Sequence, residues 1–158
     1  MTSDKIKSLA DATLQVKSWQ AEGKKVVFTN GCFDLLHLGH VDYLENARNL
    51  GDKLAIGLNS DSSVSRFKGP ERPLQDQNSR ARVLAALQFV DLVVFFNEDT
   101  PLELISQLLP NVLVKGSDYL AENIVGADVV KKNGGVVKTI DFVPGYSTTK
   151  IVEKIKRT

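Results

Sequence analysis

The sequence lacks the features that mark a secreted, membrane-spanning or nucleic-acid-binding protein. Its 158 residues include one cysteine, Cys32, which excludes an internal disulfide framework and indicates a reducing compartment. No apolar run approaches the roughly 18 residues of a membrane span, and no signal peptide is evident. A net charge of +1 predicts neither nucleic acid nor a membrane as a partner. We therefore expect a cytoplasmic protein.

Repeats, linkers and low-complexity tracts are also missing. The hydrophobic fraction of 42% and the charged fraction of 25% are ordinary for a globular protein. At this length one domain can bury a core of its own. We predict a single domain over residues 1–158, with a leading helix in 1–23 and the core of the protein in 24–158.

What the chain does contain is a regular alternation of short apolar runs and helix-spaced apolar residues. The runs read as five buried strands, at 26–28, 53–58, 92–96, 112–114 and 136–140. Such strands, separated by helices, predict a parallel sheet covered on both faces. The fold class is therefore α/β, a Rossmann-like doubly wound sheet of five strands. Ligands of these sheets bind beyond the carboxyl ends of the strands.

The segment over residues 25–50 organises the rest of the chain. A short apolar strand is broken by Thr29, Asn30 and Gly31, and a helix follows with His37 and His40 at its opening. A strand, a glycine turn and a helix N-terminus predict a phosphate site, because unpaired backbone N–H groups and the positive end of the helix dipole point outward together.

Cations and hydroxyl groups also follow the predicted strands or open the predicted helices. The cations are Lys68, Arg72, Arg80, Lys115 and Lys150, and the hydroxyl groups are those of Ser147, Thr148 and Thr149. Such an array suits a polyphosphate, whose transfer needs charge neutralisation and positioning. No segment matches GxxxxGK[ST], so a P-loop kinase or ATPase is disfavoured.

Two segments resemble the signatures of a known family. NGCFD at 30–34 followed by HLGH at 37–40 resembles the first signature of the HxGH nucleotidyltransferase superfamily. YSTTKI at 146–151 resembles the second signature, found in its cytidylyltransferase-like branch. The two lie in the right order and the resemblance runs from about residue 24 to residue 155.

Within that branch, four segments most resemble the adenylyltransferases that make ADP-heptose from heptose 1-phosphate. They are FTNGCFDLLHLGH, KGPERP, VLVKGSDY and GYSTT. The resemblance implies transfer of AMP from ATP to D-glycero-β-D-manno-heptose 1-phosphate, with Mg²⁺ carried by the nucleotide, for lipopolysaccharide or surface-glycan synthesis. Cytidylyltransferases acting on glycerol 3-phosphate or ethanolamine phosphate share both signatures but usually lack the KGPxRP loop. A non-catalytic nucleotide-binding domain is a further alternative.

The resemblance also implies roles for individual residues. The catalytic candidates are His37, His40, Lys68 and Arg80. The nucleotide-binding candidates are Thr29, Asn30, Gly31, Cys32, Phe33, Gly39, His40, Lys115, Gly116, Asp118, Tyr146, Ser147, Thr148 and Thr149. The candidates for the sugar phosphate are Asp34, Lys68 and Arg72, with Lys115 possible on either substrate. No protein ligand for a metal is implied, and a zinc site from Cys32, His37 and His40 would lack a fourth ligand.

Each candidate also has an ordinary structural interpretation. The two histidines could pair in the core, and Cys32 could be a small buried filler. Residues 68–72 could be a solvated loop, the hydroxyls at 147–149 an N-cap, and Lys115 with Asp118 a strand-end turn.

The resemblance extends to partners. The implied substrates are ATP and a sugar phosphate, and a homodimer is usual for such small transferases. Many relatives carry a sugar kinase ahead of this domain, whereas about two dozen residues precede the first strand here. We therefore expect a separate heptose kinase to supply the acceptor.

Overall fold

The computed structural model describes residues 1–120 and 123–158, and one parallel sheet runs through it. The strands are β1 (Ile6–Lys7), β2 (Val26–Gly31), β3 (Lys53–Asn59), β4 (Leu92–Phe96), β5 (Val112–Gly116) and β6 (Val136–Ile140). The helices are α1 (Leu9–Ala21), α2 (Leu38–Arg48), α3 (Asp61–Lys68), α4 (Gln77–Ala86), α5 (Leu102–Leu108), α6 (Ala127–Lys132) and α7 (Thr148–Lys156). The sheet order is β1-β4-β3-β2-β5-β6, with every neighbouring pair parallel.

Helices cover both faces of the sheet because its strands carry apolar side chains on both sides. On one face, Phe28 and Leu113 pack with α1, α5 and α6. On the other face, Val27 and Val114 pack with α2 and α4. Each face buries a cluster of its own, so the strands read in sequence as continuous apolar runs. The prediction of a doubly wound α/β sheet is confirmed.

The prediction of a leading helix over 1–23 is wrong at its start. Thr2–Lys5 form a 3-10 helix, and Ile6–Lys7 pair with Val93 and Val94 of β4 as a sixth strand. The helix begins after Ser8, whose hydroxyl accepts a 3.2 Å hydrogen bond from the Asp11 N–H. Two residues are too few to show an alternating pattern, so the sequence could not reveal this strand.

Two boundaries near the site also differ from expectation. The residues 29–31, predicted to break the strand, continue β2 because each pairs with β3, up to Gly31 opposite Leu58. The segment over 68–72, for which a solvated loop was the ordinary interpretation, begins at the last residue of α3, a helix that the sequence did not reveal. Its residues DSSVSRFK are mostly polar, and only Ser63 and Val64 are buried. Because α3 follows β3 and ends at Lys68, it places this lysine at the carboxyl end of the sheet.

None of the helices in the described ranges is both long and apolar enough to cross a bilayer.

Candidate active site

Two adjoining cavities open where β2, β3 and β5 end. The first, here called the histidine chamber, has a volume of about 490 Å³ and is lined by residues of the α2 start, the 68–72 segment and the α7 start. The second, the lysine chamber, has a volume of about 600 Å³ and includes Asn30 and Lys115 among its lining residues. His40, Lys68 and Thr148 line both chambers, so the two form one continuous site.

The two histidines stack on each other at the start of α2. Their ring centroids are 3.9 Å apart with an angle of 22° between the planes, and Phe33 meets His40 edge-on. The Nδ1 atom of each ring is buried without a hydrogen bond to the described residues, which leaves Nε2 available to a ligand. Burial lowers the pKa of both rings, that of His40 to about 4 with the help of neighbouring His37 and Lys68. Both imidazoles are therefore neutral at pH 7.

The loop before α2 is held in an unusual backbone conformation. Phe33 and Leu35 have φ angles of 47° and 54°, in the left-handed region that non-glycine residues seldom adopt. Each such residue costs about 1–3 kcal/mol and needs its surroundings to fix it. The loop turns sharply here, and it brings His37 to the N-cap position of α2.

Asp34, between those two residues, ties this loop to the 69–76 segment. Its carboxylate accepts hydrogen bonds from Leu74 N at 2.8 Å, Gln75 N at 3.1 Å and Arg72 Nε at 3.2 Å. The side chain is 1% exposed. Asp34 reaches the wall of the lysine chamber, but three protein donors already occupy its carboxylate. The structure thus gives it a positioning role in place of the substrate contact predicted.

The start of α7 is anchored to the same loop. Thr148 donates a 2.6 Å hydrogen bond from its hydroxyl to the backbone carbonyl of Asp34. Ser147 is the N-cap, and its hydroxyl accepts from Lys150 N at 3.2 Å. The two signature segments are therefore in direct contact, with the N-terminus of α7 at the histidine chamber.

Arg80 lies beneath the site and lines neither chamber. Its guanidinium donates to Gln75 O at 3.0 Å, Cys32 O at 2.7 Å and Asn59 O at 2.9 Å, and it pairs with Asp61 at 2.7 Å. The side chain is fully buried. The predicted contact with phosphate is therefore replaced by a structural one: Arg80 clamps the carboxyl ends of β2 and β3 together.

Thr29 is a second candidate that the structure places elsewhere. It is fully buried, and its hydroxyl lies 2.8 Å from the hydroxyl of Tyr43 on α2. Burial raises the pKa of Tyr43 to about 12, which keeps this pair neutral. Since Thr29 lies within the sheet, its side chain fixes α2 and does not reach a ligand.

Two glycines allow neighbouring side chains to pack closely at the walls of the chambers. A Cβ on Gly39 would lie 3.1 Å from the His37 ring and 3.3 Å from the Cβ of Tyr146. A Cβ on Gly116 would overlap the ring of Phe142 and approach Asp118 Oδ1 to 2.7 Å. Both glycines are therefore needed for close packing around the cavities.

The other predicted residues divide between the chambers. Those of the histidine chamber are His37, Gly39, His40, Lys68, Arg72, Tyr146, Ser147, Thr148 and Thr149. Those of the lysine chamber are Asn30, Gly31, Cys32, Phe33, Lys115, Gly116 and Asp118, besides the shared ones. Apart from Thr29, Arg80 and Lys150, which is exposed on α7, every candidate lines one chamber or the other.

Cys32 and the histidines do not build a metal centre. Nowhere in residues 1–120 and 123–158 do three or more His, Cys, Asp or Glu side chains come together as a metal site. Burial raises the pKa of the Cys32 thiol, so it stays protonated at neutral pH. Its Sγ lies 3.9 Å from Asn59 Oδ1, in keeping with a small buried filler.

Sequence reasoning missed Phe142, which lines both chambers and stacks on Tyr43 at a centroid distance of 5.5 Å. It also missed Asn59, Phe67 and Asp99 in the lysine chamber. Phe142 lies between β6 and α7, where no periodicity assigns it a face. The signal available was its position after a predicted strand.

Comparison with known proteins finds a matching family model and relatives that are more than half identical to this chain. A family model described as cytidylyltransferase-like matches residues 28–154. A protein of Magnetococcus marinus named Bifunctional protein HldE is 61% identical over 153 residues, covering 97% of this chain and 31% of its own length. The protein of the same name from Geotalea uraniireducens is 58% identical, with coverages of 96% and 31%. The chain thus spans a little under a third of these relatives.

Solved structures agree with the fold. The lipopolysaccharide core biosynthesis protein from Thermoplasma volcanium is 30% identical with a TM-score of 0.61, covering 77% of this chain and 98% of its own. The pantoate-beta-alanine ligase from Francisella tularensis has the same TM-score at 15% identity, a likeness of fold alone.

Proposed function

The chain belongs to the cytidylyltransferase-like family, and from this we propose that it transfers AMP from ATP to D-glycero-β-D-manno-heptose 1-phosphate. The products would be ADP-heptose and pyrophosphate, for lipopolysaccharide or related surface-glycan synthesis. The observation that carries the proposal is the histidine chamber, where two neutral imidazoles, two cations and a helix N-terminus line one cavity. The sequence identity that the chain shares with the HldE proteins and with a lipopolysaccharide core biosynthesis protein supports a heptose phosphate as the acceptor.

The reaction is an in-line substitution at phosphorus. An oxygen of the sugar phosphate forms a bond to the α-phosphorus, and the bond from that phosphorus to the oxygen bridging to the β-phosphorus breaks. The bonding electrons leave with pyrophosphate. Because the nucleophile is an ionised phosphate, no general base is required. Mg²⁺ enters with the nucleotide, as MgATP.

His37 and His40 would act as neutral hydrogen-bond donors. Their buried Nδ1 atoms leave Nε2 to meet phosphate oxygens, and each neutral ring donates one N–H from Nε2 in the matching tautomer. The stack and the edge contact with Phe33 hold the rings in place. Donors fixed before the reaction stabilise charge that develops on the phosphate oxygens.

Lys68, Arg72 and the start of α7 would hold the leaving pyrophosphate. Lys68 lines both chambers, so its ammonium can reach the triphosphate from either side. The Thr148 hydroxyl donates its hydrogen bond to Asp34. The Thr149 hydroxyl also lines the histidine chamber and makes no hydrogen bond within the described residues, so it is available to the pyrophosphate. The first backbone N–H groups of α7 point outward, as at other helix ends that bind anions.

The proposal is tested by ³¹P NMR of the purified protein with ATP, MgCl₂ and heptose 1-phosphate. The expected result is a pair of coupled diphosphate signals from the nucleotide sugar together with pyrophosphate. His40→Asn keeps a hydrogen-bonding side chain but moves the donor, and we expect on the order of a hundredfold loss of rate. ADP with inorganic phosphate as the only products would contradict a nucleotidyl transfer.

A second candidate is favoured by the name of the matching family model. A cytidylyltransferase acting on glycerol 3-phosphate or another small alcohol phosphate would use the same histidine chamber. CTP in place of ATP in the same NMR experiment distinguishes the two. The homodimer and the separate sugar kinase stay predictions.

A further inference from the structure

The floor of the lysine chamber is polar, although the sheet below it is apolar. Asn30 lies two residues beyond Phe28 on β2, and Lys115 lies two residues beyond Leu113 on β5. Phe28 and Leu113 are paired across the two strands. Since side chains alternate along a strand, Asn30 and Lys115 leave the sheet on the same face, each two residues beyond that pair. A Cβ built on Gly57 would lie 3.2 Å from the Asn30 Cβ, which fixes that face.

Both side chains lack a partner within the described ranges. The Asn30 Oδ1 atom is buried and accepts no hydrogen bond there. No described carboxylate lies within 4.0 Å of Lys115 Nζ, which instead sits 5.4 Å from the centroid of the Tyr119 ring. Burial lowers the pKa of Lys115, which shows that its ammonium is poorly solvated. A buried acceptor and a poorly solvated cation therefore line the same chamber, and one ligand that carries both a donor and an acceptor can pair with them.

A sugar phosphate has the chemistry that this floor lacks. Its hydroxyl groups can donate to an amide oxygen, and its hydroxyl and phosphate oxygens can accept from an ammonium. Asp99 and Asp118 on the chamber wall add acceptors for further hydroxyl groups. The phosphate end would then lie toward His40 and Lys68, which the two chambers share.

We propose that Asn30 and Lys115 form the acceptor-recognition pair, with Asn30 Oδ1 accepting from a sugar hydroxyl and Lys115 Nζ donating to an oxygen of the same sugar phosphate. The inference rests on the proposed function and narrows it. It assigns both residues to the acceptor: the sequence left Lys115 open to either substrate and suggested the nucleotide for Asn30.

The test compares two variants, Lys115→Met and Asn30→Ala, with the control Lys132→Met. Lys132 is exposed on α6, and its replacement removes one positive charge away from the chamber. Two quantities are measured: the KM for heptose 1-phosphate at saturating ATP, and the Kd for ATP by calorimetry without acceptor. We expect Lys115→Met and Asn30→Ala to raise the KM by on the order of tenfold, about 1.4 kcal/mol, and to leave the Kd for ATP within about twofold.

Two results would overturn the pair. A Kd for ATP weakened as much as the acceptor KM would assign the floor to the nucleotide ribose. An unchanged KM in both variants would make the floor structural. Asn30→Asp covers the case in which Asn30→Ala does not fold, because it keeps the shape and places a carboxylate beside Lys115; we expect a folded protein with a raised acceptor KM.

A binding measurement separates failure of the proposed reaction from failure of the proposed acceptor-recognition pair. If the wild-type protein turns over no acceptor, calorimetry with heptose 1-phosphate in the presence of a non-hydrolysable ATP analogue still tests the pair. Binding that Lys115→Met abolishes and Lys132→Met retains supports it. Absence of binding to the wild-type protein overturns it.

Discussion

The hydroxyl of Thr148 donates a 2.6 Å hydrogen bond to the backbone carbonyl of Asp34, 114 residues earlier in the chain. This bond joins the N-terminus of α7 to the strained loop in which Phe33 and Leu35 have positive φ angles. The carboxylate of the same Asp34 fixes the segment that carries Arg72. One residue therefore sets the relative position of the helix N-terminus, the histidines and a cation of the histidine chamber.

Thr148→Val is expected to break this link. The valine keeps the volume but leaves the Asp34 carbonyl without its donor, which costs about 1–3 kcal/mol of unfolding free energy. Thr148→Ser retains the hydroxyl and should stay within about 1 kcal/mol of the wild-type protein. Urea denaturation measures both. Equal stabilities for the valine and serine variants would show that the bond contributes nothing.

Arg80→Lys is expected to destabilise the protein by about 3 kcal/mol or more, because a lysine cannot make the hydrogen bonds that the fully buried guanidinium gives to Cys32 and Asn59. Arg82→Lys, exposed on the same helix, is the matched control and should change stability by less than about 0.5 kcal/mol. Thermal or urea unfolding compares them. A stable Arg80→Lys protein with a specific loss of ATP binding would restore the phosphate contact expected from the sequence.

Stability is expected to fall as the pH drops from 6.5 toward 4. Burial holds the pKa of His40 at about 4 in the folded protein, against 6.5 as the ordinary value. In that window the unfolded chain binds a proton that the folded protein does not, so acid favours unfolding by up to about 3 kcal/mol. His40→Gln does not titrate and should flatten this slope. Urea unfolding at several pH values between 4 and 7.5 measures it, and equal slopes in both proteins would contradict the burial of His40.

Gly116→Ala is expected to disturb both chambers, because the new Cβ would overlap the Phe142 ring that lines them. Overpacking of this kind costs about 1–3 kcal/mol. Phe142→Ala removes the obstacle, so the double variant should recover part of the stability lost in Gly116→Ala. A double-mutant cycle measures this coupling, and strictly additive effects would place Phe142 away from Gly116.

Much of the fold was predictable because its signal is local. Four of the five predicted strand runs needed small or no adjustment, since buried parallel strands are apolar along their length. Strand β1 was not predictable, because its two residues pair only through the folded sheet. Helix α3 was missed because it has almost no apolar face.

The site shows the same contrast between features with a local sequence signal and features that depend on the folded structure. Position at a strand end or helix start located the histidines and the hydroxyl groups that line the chambers, since that property belongs to the local sequence, and the resemblance to the two signatures supplied most of the others. The direction in which a side chain turns does not. Arg80 and Thr29 stand at suitable positions, yet one turns under the strand ends and the other toward Tyr43. Asn30 and Lys115 become a pair only through the register of β2 and β5.

The proposed reaction moves AMP from ATP onto a heptose phosphate. The most direct measurement is pyrophosphate release with ATP or CTP, each offered with heptose 1-phosphate, glycerol 3-phosphate and phosphoethanolamine in the presence of Mg²⁺. We predict pyrophosphate release with ATP and heptose 1-phosphate alone, and loss of this release in His40→Ala. Release with CTP and a small alcohol phosphate would contradict the proposed substrates. Absence of release from a folded protein that binds nucleotide would contradict the proposal that the protein is an enzyme.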